Sequence, residues 1–455
     1  MPPIRPMHRR AAMAVLSRLN RMSTARLLLV GYVSYMALGF VLLSLPFVQS
    51  GVVAPLDNLF IATSAVSTTG LVTVDPGASY NRAGEIVILA LFQVGGLGYM
   101  TFSSFFVLAL RRRLSRGRER TVRASFELPD DISVAAFLRA VVVFTLLVET
   151  AGAVALYLLF AEAGREDALW SAIFHAVSAF CTAGFSLNSN SLEAYAGNVG
   201  VNAVIAVLSL MGAIGFIVVS DCWRALSGQE RRLGTTSRTI LFVTLAIISA
   251  AFLVILVTDE GIADLPLGER ALAAFFQAMS ASTTVGFDTV PIGTLGMGSV
   301  VVLMLLMIIG ASPAGTGGGL KTTTFAVLWG IVTAVLGRRD EVYVMGHEVP
   351  LRTVRSAAAA MVFYCGLLLI GMLVLAHSDP GQRFEALVFE AISAMGTVGL
   401  SLGITADLSE VGKVVIIVLM AAGRVGILTF GLALAVPNTQ STRARRRRPA
   451  DLPPA

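Results

Sequence analysis

Long apolar runs separated by short charged connections dominate this chain. Residues 27–47, 86–110, 194–220, 239–258 and 356–378 carry no charge, and 140–161 is interrupted only by Glu149. Residues 289–320 form a longer run that resumes after Lys321 and continues to Gly337, and 414–436 contains a single charge, Arg424. A spanning helix needs about 20 apolar residues, so the pattern predicts eight spans. Four shorter apolar stretches lie between them, near 55–67, 168–180, 271–284 and 384–396. At ~1.5 Å per residue each reaches about 20 Å, short of a hydrocarbon core of about 30 Å. They are predicted as re-entrant half-helices or interfacial helices.

Composition agrees with a polytopic membrane protein. Hydrophobic residues make up 56% of the 455 positions and charged residues 14%, against about 25% in soluble domains. This excludes an ordinary soluble enzyme and a disordered chain. The net charge of +6 invites a nucleic-acid reading, but 26 of the 34 basic residues fall within 1–26, 111–123, 224–238, 338–355 and 443–448. Those segments occupy alternate connections and both ends, so the positive-inside rule makes them cytoplasmic. The basic runs are topology signals and no nucleic-acid partner is expected. Three Cys and four His stand too far apart for a disulfide framework or a zinc site.

The short stretches repeat one another. Aligned on a glycine, they share F-x-A-x-S-A-x-x-T-x-G-[LF], from Phe60 to Leu71, Phe174 to Phe185, Phe276 to Phe287 and Phe389 to Leu400. Each unit reads span, half-helix, Thr-x-Gly turn, span. Two spans per unit make the units parallel, so four of them can surround an axis along the membrane normal. The predicted fold is all-α, with four parallel span–half-helix–span pore repeats around a central pseudo-fourfold pore. Repeat one covers 24–110, repeat two 132–226, repeat three 227–337 and repeat four 338–437. A cytoplasmic segment 1–23, a basic linker 111–131 and a basic tail 438–455 complete the chain.

Non-helical backbone at membrane depth is tolerated only where it is buried in protein or lines a cavity. Four converging turns would offer rings of carbonyls to a cation, as in a potassium filter, with the negative ends of the half-helix dipoles facing it. The filter residues so predicted are Thr68, Thr69 and Gly70; Thr182, Ala183 and Gly184; Thr284, Val285 and Gly286; and Thr397, Val398 and Gly399. Asp288 alone brings a carboxylate near these glycines, so carbonyls rather than a charged ring are expected to select the ion. The plainer alternative is four interfacial helices with loop glycines.

Other features stand out. Residues 310–321 place five glycines and Pro313 inside the second span of repeat three, which a lipid-facing helix cannot accommodate. Leu320 precedes Lys321 where a phosphate loop requires Gly, and no strand precedes the segment. A broken helix in a bundle marks a transport pathway; a kinked structural helix is the alternative. Arg424 interrupts the last span within Gly423–Gly426, a step shared by Gly95–Gly98 and Gly212–Gly215. Such a charge faces a protein interior, and a structural ion pair with Glu149 or Glu390 is one reading. His175 is expected to pack or hydrogen-bond behind its turn, and Cys181 to support it.

Phrases such as Ser67-Thr-Thr-Gly-Leu, Ile173-Phe-His-Ala-Val-Ser-Ala-Phe and Gly396-Thr-Val-Gly-Leu-Ser resemble filter segments of the Trk/Ktr/HKT superfamily of potassium transporters. The likeness extends over 24–437 and is nearest to the Ktr-type membrane subunit, because the chain opens with the first repeat's span. It departs at Cys181-Thr182, where a pair of Asn is expected, and in the Arg-rich tail. The resemblance implies potassium-selective uptake across the cell membrane, with K+ as cargo, Na+ as a further possible ion and no organic cofactor. It implies an intramembrane gate formed by Gly310, Ala314, Gly315, Thr316, Gly317, Gly318, Gly319 and Lys321, with Arg424 beneath the filter. It also implies a homodimer docked on a cytoplasmic RCK-type nucleotide-binding ring, and the basic face could hold anionic membrane lipid. A sodium or mixed-cation transporter is the alternative within this fold. A membrane-embedded enzyme or a sensor would need a convergent reactive set or a soluble domain, neither of which the sequence offers.

Overall fold

The computed structural model describes residues 23–98, 133–226 and 233–434. Residues 1–22 of the predicted segment 1–23, the second half of the 86–110 span, the basic linker 111–131 and the tail 438–455 lie outside them. The order is α1 (Thr24–Leu43), α2 (Pro55–Ser67), α3 (Arg82–Leu97), α4 (Val134–Glu162), α5 (Ala168–Phe180), α6 (Val199–Ala213), α7 (Phe216–Leu226), α8 (Thr235–Thr258), α9 (Leu267–Thr283), α10 (Met297–Ile308) and α11 (Thr322–Leu336). A hairpin of β1 (Tyr343–Val344) and β2 (His347–Glu348) leads to α12 (Leu351–Ser378), α13 (Phe384–Gly396), α14 (Glu410–Val425) and α15 (Ile427–Leu434).

α1, α4, α8 and α12 open the four units and are each long and apolar enough to cross a membrane. Their outward faces carry bare Leu147, Leu245, Val257, Val362 and Leu373, as lipid contact demands. α2, α5, α9 and α13 are the predicted half-helices. Each starts at the surface and ends in the interior: Leu169, Leu267 and Phe384 are exposed, whereas Phe180, Thr283 and Met395 are fully buried. The Phe that opens the repeat motif is fully buried in all four half-helices, at Phe60, Phe174, Phe276 and Phe389. The interior around them is rich in Ser and Thr, including Ser64, Ser67, Ser178, Ser280 and Ser393. Apolar side chains thus face both the interior and the outside, whereas Ser and Thr gather inside, around the half-helices.

The second helices differ from the sequence expectation. The runs 194–220 and 414–436 read as unbroken spans, but α6 and α7 meet at 97° and α14 and α15 at 107°. Gly215 and Gly426 stand at the breaks with φ of +87° and +89°, a conformation that ends a right-handed helix and that glycine adopts without steric cost. α3 likewise ends at Gly98, with φ +81°. The interruption expected only in repeat three therefore recurs at the matching point of repeats two and four. By length and composition the described residues hold four spans, or six with each bent pair counted as one.

The fourth unit returns to the first. Lys413 of α14 reaches Asp57 of α2 at 2.7 Å, both largely buried. Asp57 lies in the first turn of its helix, where a negative charge is favoured. Replacing Lys413 with Met should therefore cost about 2 kcal/mol, the scale of a hydrogen bond to a charged group, read as a lower unfolding temperature in detergent. Pairing it with Asp57→Leu should recover part of that loss.

Candidate functional site: four glycine turns and the loop against them

Each half-helix ends on a threonine in the left-handed region: Thr68, Thr182, Thr284 and Thr397 have φ of 51°, 49°, 61° and 52°. Threonine rarely accepts this conformation, at a cost of order 1–3 kcal/mol each, and such strain gathers at functional sites. Common hydrogen bonds hold the turns in place. The residue after each threonine donates its N–H to the carbonyl of the motif serine, at 2.9 Å for Thr69 to Ser64, 2.8 Å for Ala183 to Ser178, 3.1 Å for Val285 to Ser280 and 2.9 Å for Val398 to Ser393. In repeats one and four the serine hydroxyl also accepts from the glycine N–H, at 3.1 Å for Gly70 and for Gly399. The Ser280 hydroxyl instead donates to Phe287 O at 2.5 Å.

The glycines follow with φ of 95°, 67°, 76° and 99° at Gly70, Gly184, Gly286 and Gly399, and the residues between threonine and glycine have negative φ. In an extended chain successive carbonyls point to opposite sides, and alternating the sign of φ brings them to the same side. A Cβ on Gly70 would lie 2.7 Å from Ala183 O, and one on Gly184 would lie 2.5 Å from Val285 O. One on Gly286 would collide with Val398 O, and one on Gly399 with Thr69 O. Each turn thus abuts the next in chain order, and the fourth abuts the first. The four glycines and the residue before each meet in one closed ring.

The 310–321 loop lies against the threonine side of this ring. Its ends are zipped by a parallel bridge between Ile309 and Leu320, and Ala314 and Gly319 take φ of 58° and 71°. Thr68 Oγ1 donates to Thr316 O at 3.3 Å, and the hydroxyls of Thr182 and Thr316 are 3.1 Å apart. Gly318 N donates to Thr397 Oγ1 at 2.9 Å. A Cβ on Gly317 would strike Thr284 Oγ1, a buried hydroxyl with no partner. All four turn threonines therefore face residues 316–318. Gly310 packs on Gly318 and Gly319, Gly315 on Ala213, and Lys321 Nζ donates to Gly317 O at 2.8 Å.

Arg424 joins this assembly but forms no carboxylate pair among the described residues. Its guanidinium donates to Thr316 O and to Gly95 O, and to Gly96 O at 3.2 Å. The structural ion pair with Glu149 or Glu390 is thereby corrected: backbone carbonyls at the end of α3 and in the loop supply the partners instead. Glu149 accepts from Gln93 Nε2 at 3.1 Å and from Cys181 Sγ at 3.8 Å. Cys181 thus backs its turn as expected, and a Cβ on Gly96 would come within 2.8 Å of its sulfur. Glu390 accepts from Ser401 Oγ at 2.9 Å and from Thr405 Oγ1. His175 is fully buried and bonds Ser171 O at 2.7 Å and Ser186 Oγ at 3.0 Å. Beyond the ring, burial lifts the Asp288 carboxyl to about 7, with the neighbouring charge of Glu193 adding and the Ser191 hydroxyl opposing.

A family model described as TrkH, cation transport protein, matches residues 37–444. The chain belongs to this family. It is a membrane transport protein, not an enzyme. Family members at 33% identity include the Ktr system potassium uptake protein B of Bacillus subtilis (93% of this chain, 95% of that protein) and that of Vibrio alginolyticus (90% and 91%). The potassium/sodium uptake protein NtpJ of Enterococcus hirae is also 33% identical, over 92% of this chain and 94% of its own length. The crystal structure of the potassium transporter TrkH from Vibrio parahaemolyticus superimposes with a TM-score of 0.73 at 21% identity, covering 91% of this chain and 86% of that one. The all-α polytopic fold and the family read from the repeats are borne out.

The contacts of Arg424 yield a prediction. Arg424→Met keeps an unbranched side chain but removes the guanidinium's bonds to the carbonyls of Thr316, Gly95 and Gly96. It should insert normally and lose about 2 kcal/mol of stability, measured as a lower unfolding temperature in detergent. Wild-type melting would mean that these bonds carry little.

Proposed function

We propose that this chain takes up potassium across the cell membrane, one pathway per chain, through the ring of Thr-x-Gly turns. The closed ring itself carries this reading. Four turns with alternating φ direct carbonyl oxygens toward one axis, and such oxygens replace the hydration shell of a cation. The half-helices add the negative ends of their dipoles. Relatives named for potassium uptake support the choice of ion. The name of the Enterococcus hirae protein favours sodium as a second ion, coupled or co-transported.

In this reading the filter comprises residues 68–70, 182–184, 284–286 and 397–399, in four pore repeats bounded as the sequence suggests. Residues 310–321 form the gate, held closed by the turn threonines and Arg424. The basic connections face the cytoplasm with both termini. Arg338, Arg339, Arg352 and Arg355 are exposed and suited to anionic lipid. The relatives' designation as parts of a Ktr system supports a partner subunit. We assign that role to an RCK-type nucleotide-binding ring beneath a homodimer of this chain.

Expression in cells lacking their own potassium uptake should restore growth at low potassium, with the partner ring supplied. No rescue by a well-expressed, inserted chain would sink the proposal. Gly286→Ser, at the most crowded turn, should reduce preference for potassium over sodium by about tenfold or more, since strain and collision displace the carbonyls. Deleting 314–319 should raise flux; a folded deletion variant that conducts no faster than wild type would remove the gate from this scheme.

A further inference from the structure

Behind the ring, one position of the repeat motif takes four different side chains. The residue after the motif phenylalanine is Ile61, His175, Gln277 and Glu390 in repeats one to four. All four are buried, none more than 1% exposed. Three of them reach the chain just beyond their own turn's glycine. His175 Nδ1 faces the Ser171 carbonyl at 2.7 Å and so carries the proton, leaving Nε2 to accept from Ser186 Oγ at 3.0 Å. Gln277 Nε2 donates to Thr289 Oγ1 at 3.1 Å. Glu390 accepts from Ser401 Oγ at 2.9 Å and from Thr405 Oγ1. Ser186 and Ser401 stand two residues after their glycines and Thr289 three.

An imidazole, an amide and a carboxyl therefore make the same bridge from half-helix to outgoing leg. Three unlike chemistries meeting at equivalent places point to a requirement for the bridge rather than for any one group. Repeat one is the exception. Ile61 has no polar atom, and Thr73, three residues after Gly70, keeps a buried hydroxyl with no partner.

We propose that His175, Gln277 and Glu390 are positioning residues for ion discrimination. Each braces the outgoing leg of its filter turn, and repeat one is the unbraced member of the set. This rests on the filter reading above. A turn strained at Thr and Gly holds its carbonyls at one spacing only if both of its legs are fixed. The motif serine fixes the incoming leg, and the brace fixes the outgoing one. The ring then has one compliant side, at Gly70.

The test uses the full chain in uptake-deficient cells, with rubidium uptake measured against rising sodium. Glu390→Leu should insert, keep uptake and lose about tenfold in preference over sodium, the scale of one lost buried hydrogen bond. Ser401→Ala combined with Thr405→Val should give the same loss and add nothing to Glu390→Leu. Glu390→Gln can still bond both hydroxyls and should retain the wild-type preference. Ile61→Gln should supply the missing brace to Thr73 and raise preference severalfold. Unchanged preference in both Glu390→Leu and the Ser401/Thr405 variant would overturn the brace. A loss in Glu390→Gln equal to that in Glu390→Leu, with the hydroxyl variant unaffected, would overturn it too, since charge alone would then matter. A wild-type chain that takes up rubidium without discriminating against sodium would overturn the filter reading and the brace with it.

Discussion

Four helix C-termini aimed at one axis inside a low-dielectric slab present an electrostatic problem on which the rest of this structure depends. Each terminus carries the equivalent of about half a negative charge, so the ring gathers roughly two elementary charges' worth of carbonyl potential. Two fixed positive charges sit on the loop side: Arg424, bound to Thr316, Gly95 and Gly96, and Lys321, bound to Gly317. The left-handed threonines, the serine bonds and the small residues of the half-helices keep four repelling ends close together.

Much of this was legible in the sequence. Stretches expected at 55–67, 168–180 and 384–396 appear as helices with those bounds, and the one expected at 271–284 runs from Leu267 to Thr283. The signal was strong because the same residues recur four times: phenylalanine anchors, alanine allows close approach, serine bonds the turn. The ring residues followed from that recurrence.

What was missed has a common cause. The bends at Gly215 and Gly426 lie in runs that hydropathy reads as continuous, because a run's apolar content does not register the sign of φ. The Gly-x-x-Gly step was visible, but its second glycine is legible as a helix end only with the backbone in view. The seat of Arg424 was missed because its partners are carbonyls, which every residue possesses and no sequence pattern advertises. Behind the ring, His175 was read in place, but its equivalence to Ile61, Gln277 and Glu390 was not, because a motif position that takes four different side chains looks unconstrained.

Ring closure also has a consequence in time. The contact between Gly399 and Thr69 O, like those from Lys413 to Asp57 and from Arg424 to Gly95, joins the last unit to the first across more than 320 residues. At synthesis rates of about 5–20 residues per second, the first half-helix waits roughly 16–65 s for the neighbour that completes its turn. During that interval the left-handed Thr68 and the carbonyl of Thr69 lack the neighbouring turn that Gly399 supplies. The first unit must be stable in the bilayer without its final geometry, or be guarded until the chain is finished.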